Sequence, residues 1–116
     1  MRNGIDLVCL SRFKGAALKT AFLKRVFTDA EISGSMNARA PFIRLAGAFA
    51  AKEACLKALG TGFGKEVGLK DIEVEYEKAG PTLKLHHGAQ RLLGGRSVFL
   101  SLAYSRELAV AAVLIE

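Results

Sequence analysis

Phe49-Ala50-Ala51-Lys52-Glu53-Ala54-Cys55-Leu56-Lys57-Ala58-Leu59-Gly60-Thr61-Gly62 sets one carboxylate and two ammonium groups into a run of small and apolar residues that stops on glycines. Glu53 and Lys57 stand four residues apart, so a helix places them on one face, within reach of each other. Charge carried into packed surroundings is costly unless it is paired or given a ligand. The stretch therefore reads either as a packed helix with one internal ion pair or as a site for metal and phosphate. Upstream, Pro41 suits a first helical position, and Phe42, Leu45 and Phe49 carry the same helix on to Leu59. Gly60 supplies a left-handed cap at its end.

Working outward, Ile5–Leu10 is an apolar run interrupted by Asp6 and predicts a buried strand. Ser11 is placed to cap the next helix. Leu18, Phe22 and Val26, with Leu23 and Phe27 beside them, recur at helical spacing and predict one core-facing stripe. Thr28 with Glu31 forms a capping-box pattern for a short helix, and the small polar segment 34–40 predicts a loop. On the far side of the glycines, 71–77 alternates with period two and 82–86 follows a Gly80-Pro81 turn, a predicted hairpin. A short helix over 88–93 and two apolar strands, 97–102 and 108–115, joined by a polar connection over 103–107, complete one domain over residues 1–116. The fold class this predicts is α+β, an antiparallel sheet packed against the long helix.

Composition narrows the function classes. The chain has 116 residues, 51% of them hydrophobic, and a mean hydropathy of +0.25, an apolar excess that predicts burial between subunits. No apolar run approaches the ~20 residues needed to span a bilayer. The start, Met1–Asp6, puts an acid where a signal peptide would carry its apolar segment, so the expected location is cytoplasmic. Cys9 and Cys55 lie in apolar contexts without metal-ligand spacing, which predicts reduced core thiols. His86 and His87, adjacent on a strand end, predict a surface pair that shares no ion. The net charge of +6 implies an anionic partner, and Arg12, Lys14, Lys19, Lys24 and Arg25 concentrate it near the N-terminal third with no acid among them. The chain shows no helix-turn-helix, RRM, KH or zinc signature, so nucleic acid is not the expected partner.

Three features could converge on one site: Asp6, the Lys52–Glu53–Lys57 set, and the glycines 60, 62 and 64. Each has a plainer reading. Asp6 fits a paired core carboxylate, Glu53 with Lys57 a surface ion pair, and the glycines a simple helix stop. The chemistry that needs all three is metal-assisted phosphoryl transfer. Two carboxylates hold a hard divalent ion such as Mg²⁺, and a lysine neutralises phosphate charge.

Taken in order, Gly4-Ile5-Asp6-Leu7-Val8, Phe49-Ala50-Ala51-Lys52-Glu53-Ala54 with Lys57-Ala58-Leu59-Gly60-Thr61-Gly62, Asp71-Ile72-Glu73-Val74, and the Ser101 strand before a terminal Ala-Val strand resemble the holo-(acyl-carrier-protein) synthase family. These are small bacterial 4′-phosphopantetheinyl transferases, and the resemblance spans essentially the whole chain. It implies the transferase fold, a homotrimer with sites between subunits, and transfer of phosphopantetheine from coenzyme A to a serine of apo-acyl carrier protein. Adenosine 3′,5′-bisphosphate would be released.

By the same resemblance Asp6 and Glu53 are the Mg²⁺ ligands and Lys57 contacts the coenzyme A pyrophosphate. Glu53, or a water on the metal, takes the serine proton. Gly60, Thr61, Gly62, Ser101 and Tyr104 are expected along coenzyme A, and Arg12, Phe22 and Arg25 against the acidic carrier. Two positions depart from the family. Where many members carry arginine this chain has Ala48, with Arg44 one turn earlier as the substitute, and the histidine of a Ser-x-[Ser/Thr]-His pattern is Tyr104. Two alternatives stay open: a relative that binds coenzyme A without catalysis, and a basic nucleic-acid-binding module.

Overall fold

The first strand, β1, runs over Arg2–Cys9 and is followed by α1 (Leu10–Ala17), α2 (Thr20–Val26), α3 (Asp29–Met36) and the long helix α4 (Pro41–Leu59). A 3₁₀ turn at Leu69–Asp71 leads into the hairpin of β2 (Ile72–Glu77) and β3 (Gly80–Leu85). Helix α5 (His87–Leu93) and strands β4 (Val98–Tyr104) and β5 (Leu108–Ile115) follow. The structure is a computed structural model and describes residues 1–61 and 66–116. Both sheets, β1-β5-β4 and β2-β3, are antiparallel throughout, and α4 packs on β1 and β5. The α+β class expected from the pattern of elements is the one observed.

Helix α4 begins on Pro41 at its first turn and ends on Gly60, whose φ of 80° is the left-handed conformation that glycine tolerates best. Its buried alanines, Ala46, Ala50, Ala54 and Ala58, let the helix backbone approach the sheet closely. Gly4 completes that approach, because a Cβ there would overlap the carbonyl oxygen of Ala54. On β1 the alternation puts Gly4, Asp6 and Val8 on the α4 side and leaves Ile5 and Leu7 outside, 61% and 60% exposed. Above the sheet, Phe13 meets Phe22, Phe27 and Phe49 at ring separations of 5.9, 6.3 and 5.6 Å.

Several expectations need correction. The stripe at Leu18, Phe22 and Val26 is not one helix: backbone at Lys19 is extended, α1 and α2 part there, and Leu18 is 69% exposed. Ser11 lies inside α1 rather than capping it; Cys9 is the N-cap residue, and no side chain caps that helix. The capping box of Thr28 and Glu31 forms as expected, and the helix it starts runs on through Gly34 to Met36. Strand β4 extends to Tyr104, which the sequence had left in a connection. Cys55 is a buried core thiol whose pKa burial pushes up to about 12, but Cys9 is only half-buried. His86 is no surface residue either: half-buried, it pairs with Glu73 through Nε2 at 3.1 Å.

Candidate active site

Asp6 and Lys57 are brought together by the close contact of β1 with α4. The Lys57 ammonium donates to Asp6 Oδ1 at 3.1 Å and to the carbonyl of Ile5 at 2.9 Å. The partner expected for Lys57 four residues earlier on the helix, Glu53, is thus replaced by one from another element. Lys57 stays 57% exposed and Asp6 only 18%, so the ammonium ends at the mouth of the site and the carboxylate lies within it. Glu53 is half-buried, and its carboxyl pKa is pushed up first by burial and then by the negative charge of Asp6, with Lys57 opposing. Two acids sharing one lysine leave surplus negative charge.

That surplus faces open space. Asp6 and Glu53 line a cleft of about 560 Å³ together with Arg12, Phe13, Phe22 and Phe49. A second cleft of about 420 Å³ shares Phe22, Phe49 and Glu53 with the first and is lined besides by Arg25, Val26, Gly68 and Leu69. Glu53 therefore stands where two clefts meet. Of the residues expected to face a partner, Arg12 and Arg25 are exposed and occupy one cleft each, while Phe22 borders both.

Other expected residues gather elsewhere. Arg44 stacks on the Tyr76 ring, 3.8 Å from its centroid, and its Nε is buried with no partner among the described residues. Tyr104 packs its hydroxyl against Gly47, where it fills the place of a Cβ, while the Tyr76 hydroxyl donates to the Arg44 carbonyl at 3.4 Å. Burial is the main cause that raises the pKa of both phenols. Nine residues of helix, roughly 13 Å along the axis, separate Arg44 from Glu53, on nearly opposite sides of α4. Within one chain the two groups form separate sites. Ser101 is exposed on the outer face of β4, near Phe99 and Ile5. Gly60 sits against the guanidinium of Arg2, and the Thr61 amide closes the helix end on the Leu56 carbonyl at 3.1 Å. Gly62 lies outside the described residues.

Sequence reasoning missed the role of Lys52. Its ammonium is fully buried and pairs with Glu31 Oε1 at 2.8 Å, the internal ion pair that the Glu53–Lys57 spacing had seemed to offer. It also missed Tyr76, which supports Arg44; only its place in an alternating strand was visible.

Comparison with known proteins extends over nearly the whole chain. The 4′-phosphopantetheinyl transferase superfamily matches residues 2–113. The holo-(acyl-carrier-protein) synthase of Syntrophus aciditrophicus is 43% identical, with 98% of this chain and 94% of the relative covered. Among solved structures, the synthase of Neisseria meningitidis aligns with a TM-score of 0.88 at 31% identity, covering 99% of this chain and 97% of that one. The synthase of Helicobacter pylori, in complex with coenzyme A, aligns with a TM-score of 0.86 at 30% identity, covering 98% of this chain and 99% of that one. The chain belongs to the 4′-phosphopantetheinyl transferase superfamily.

Proposed function

We infer that this protein is a holo-(acyl-carrier-protein) synthase, which transfers phosphopantetheine from coenzyme A to a serine of apo-acyl carrier protein. The observation that carries this reading is the convergence of Asp6 and Glu53, from two elements, on one cleft, with Lys57 bonded to Asp6, in a chain of this family.

The donor set suits Mg²⁺. Two carboxylates with surplus negative charge match a hard divalent cation, and because they are only two they leave positions for water and phosphate oxygens. Asp6 and Glu53 would hold the ion, which would neutralise charge on the pyrophosphate and polarise it. Lys57, exposed and tethered to the Ile5 carbonyl, is placed to meet the same pyrophosphate. Glu53, where the two clefts meet, is placed to accept the carrier serine's proton as the serine oxygen attacks the β-phosphate and adenosine 3′,5′-bisphosphate leaves. Positioning and electrostatics do most of this work, because the protein forms no covalent bond of its own.

Arg12 and Arg25, at the two clefts that meet at Glu53, suit an acidic carrier that approaches across Phe22. A homotrimer accounts for two further observations. Ile5, Leu7 and Phe99 form an apolar patch on the open face of β1-β5-β4, and the Arg44–Tyr76–Tyr104 group is remote from Glu53 of its own chain. A neighbouring protomer would supply that group to coenzyme A in place of an arginine at Ala48. Among the described residues no helix is long and apolar enough to cross a membrane, in line with the cytoplasmic location proposed.

The test is to incubate the protein with coenzyme A, Mg²⁺ and an apo-carrier protein and weigh the carrier. A gain of one phosphopantetheine is expected. An unmodified carrier, with coenzyme A still bound by the protein, points instead to the non-catalytic relative.

A further inference from the structure

Lys52 precedes Glu53 on α4, and its side chain has no exposed surface. Its ammonium donates to the Glu31 carboxylate at 2.8 Å, to the Leu69 carbonyl at 2.9 Å and to the Ile72 carbonyl. These oxygens belong to α3, the 3₁₀ turn and β2. Three acceptors use all three donors of an ammonium group, so Lys52 keeps none for a ligand. Glu31 is itself fixed, accepting from the amides of Thr28 at 2.9 Å and Val74 at 2.8 Å.

The segment that Lys52 grips is one wall of a cleft described above. Gly68 and Leu69 line it together with Glu53. One side chain thus ties helix position 52 to the carbonyl of residue 69, while position 53 and residues 68–69 line the cleft. The tie and the opening are one residue apart on the helix, so the length of the tie sets the width of the opening.

We propose that Lys52 is a positioning residue for the transfer reaction. Clamped by Glu31, it fixes the spacing between Glu53 and the Gly68–Leu69 backbone, and with it the aim of the Glu53 carboxylate. This rests on the transferase reading of Glu53. A displacement of about 1 Å in a reacting group lowers a rate by as much as ~100-fold, so a clamp of this kind acts on turnover rather than on substrate binding.

The experiment compares wild type, Lys52→Met and the double variant Lys52→Met/Glu31→Gln, each below its own unfolding temperature. The double variant leaves no unpaired buried charge and keeps an acceptor for Val74, so it remains folded if the single variant does not. Two quantities are read: kcat against KM for coenzyme A and for the carrier, and hydrogen exchange of amides 66–74. The expected result is a folded variant whose kcat falls about 10- to 100-fold with both KM values little changed. Amides 66–74 should exchange faster while those of β1 and β5 do not change. A folded variant with wild-type kcat, or one that loses rate only through KM, overturns the proposal. If wild type itself transfers nothing, the transferase reading fails, and the exchange measurement still decides whether Lys52 holds the 66–74 segment.

Discussion

Lys52 places its ammonium against three oxygens drawn from three elements, with every donor used. Glu53, the next residue, turns about 100° around the helix and faces a cleft where burial and Asp6 both disfavour its charge and only Lys57 favours it. The two residues carry opposite charges into the same protein and leave it in opposite electrostatic conditions. A satisfied buried ion holds elements together but has nothing to offer a ligand. Two acids with one cation, bonded to Asp6, keep a negative excess at Glu53 that suits a divalent ion. The contrast between the two faces of α4 is the ground for proposing Glu53, and not Lys52, as the residue that meets a ligand.

Breaking the satisfied side should have the largest effect on stability. Lys52→Met strands the Glu31 carboxylate in the core and takes donors from two carbonyls, at an expected cost of about 3–5 kcal/mol. Urea or thermal unfolding checks this, and a loss under about 1 kcal/mol would mean that Glu31 finds another partner. Breaking the unsatisfied side should do the reverse. Glu53→Gln keeps the shape and removes a repelled charge, so stability at neutral pH should not fall. Transfer should fall by about 100- to 1000-fold, as for loss of one principal electrostatic contributor, or about 2.7–4 kcal/mol. Retained transfer would remove Glu53 from the site.

A third change moves the two sides apart without touching either charge. The Cβ in Gly4→Ala would overlap the Ala54 carbonyl, so β1 must shift away from α4. The expected loss is about 1–3 kcal/mol of stability. Because Asp6 rides on the same strand, transfer should fall further than Tm alone explains. A variant that loses stability while its kcat holds would show that the Asp6–Lys57 spacing tolerates movement.

What could be read from sequence follows a physical division. Periodicity, proline and glycine located α4, the hairpin and the terminal strands, because these signals are local. The capping box at Thr28 and Glu31 was legible for the same reason. The break between α1 and α2 was not, since the apolar spacing of Leu18, Phe22 and Val26 continues across the extended backbone at Lys19. Asp6 and Glu53 stood out as acids in apolar runs. The true partner of each lysine was hidden, because Lys57–Asp6 and Lys52–Glu31 form across the fold, where helical spacing carries no information. The Arg44–Tyr76–Tyr104 group was hidden too, being assembled from α4, β2 and β4.

The smallest effect expected lies at the outer end of the satisfied network. Glu73 accepts from the Thr28 hydroxyl at 2.8 Å and meets His86 Nε2 at 3.1 Å. Burial pushes its carboxyl pKa up, but those hydrogen bonds and the charges of His86 and Lys52 outweigh burial and hold it below the ordinary value. A carboxyl with a depressed folded pKa contributes stability above its unfolded value of about 4.3, and that contribution is lost as pH falls through the folded one. Glu73→Gln should therefore cost less than about 1 kcal/mol near neutrality, since the half-buried pair is still partly screened by solvent. Its unfolding midpoint should converge with that of wild type as the pH drops below 4.3. Equal slopes of stability against pH in the two proteins would show that Glu73 is not held in its charged form. A loss near neutrality as large as that of Lys52→Met would show instead that Thr28, Glu31, Lys52 and Glu73 act as one unit, so that the satisfied side of α4 reaches from the core to half-buried His86.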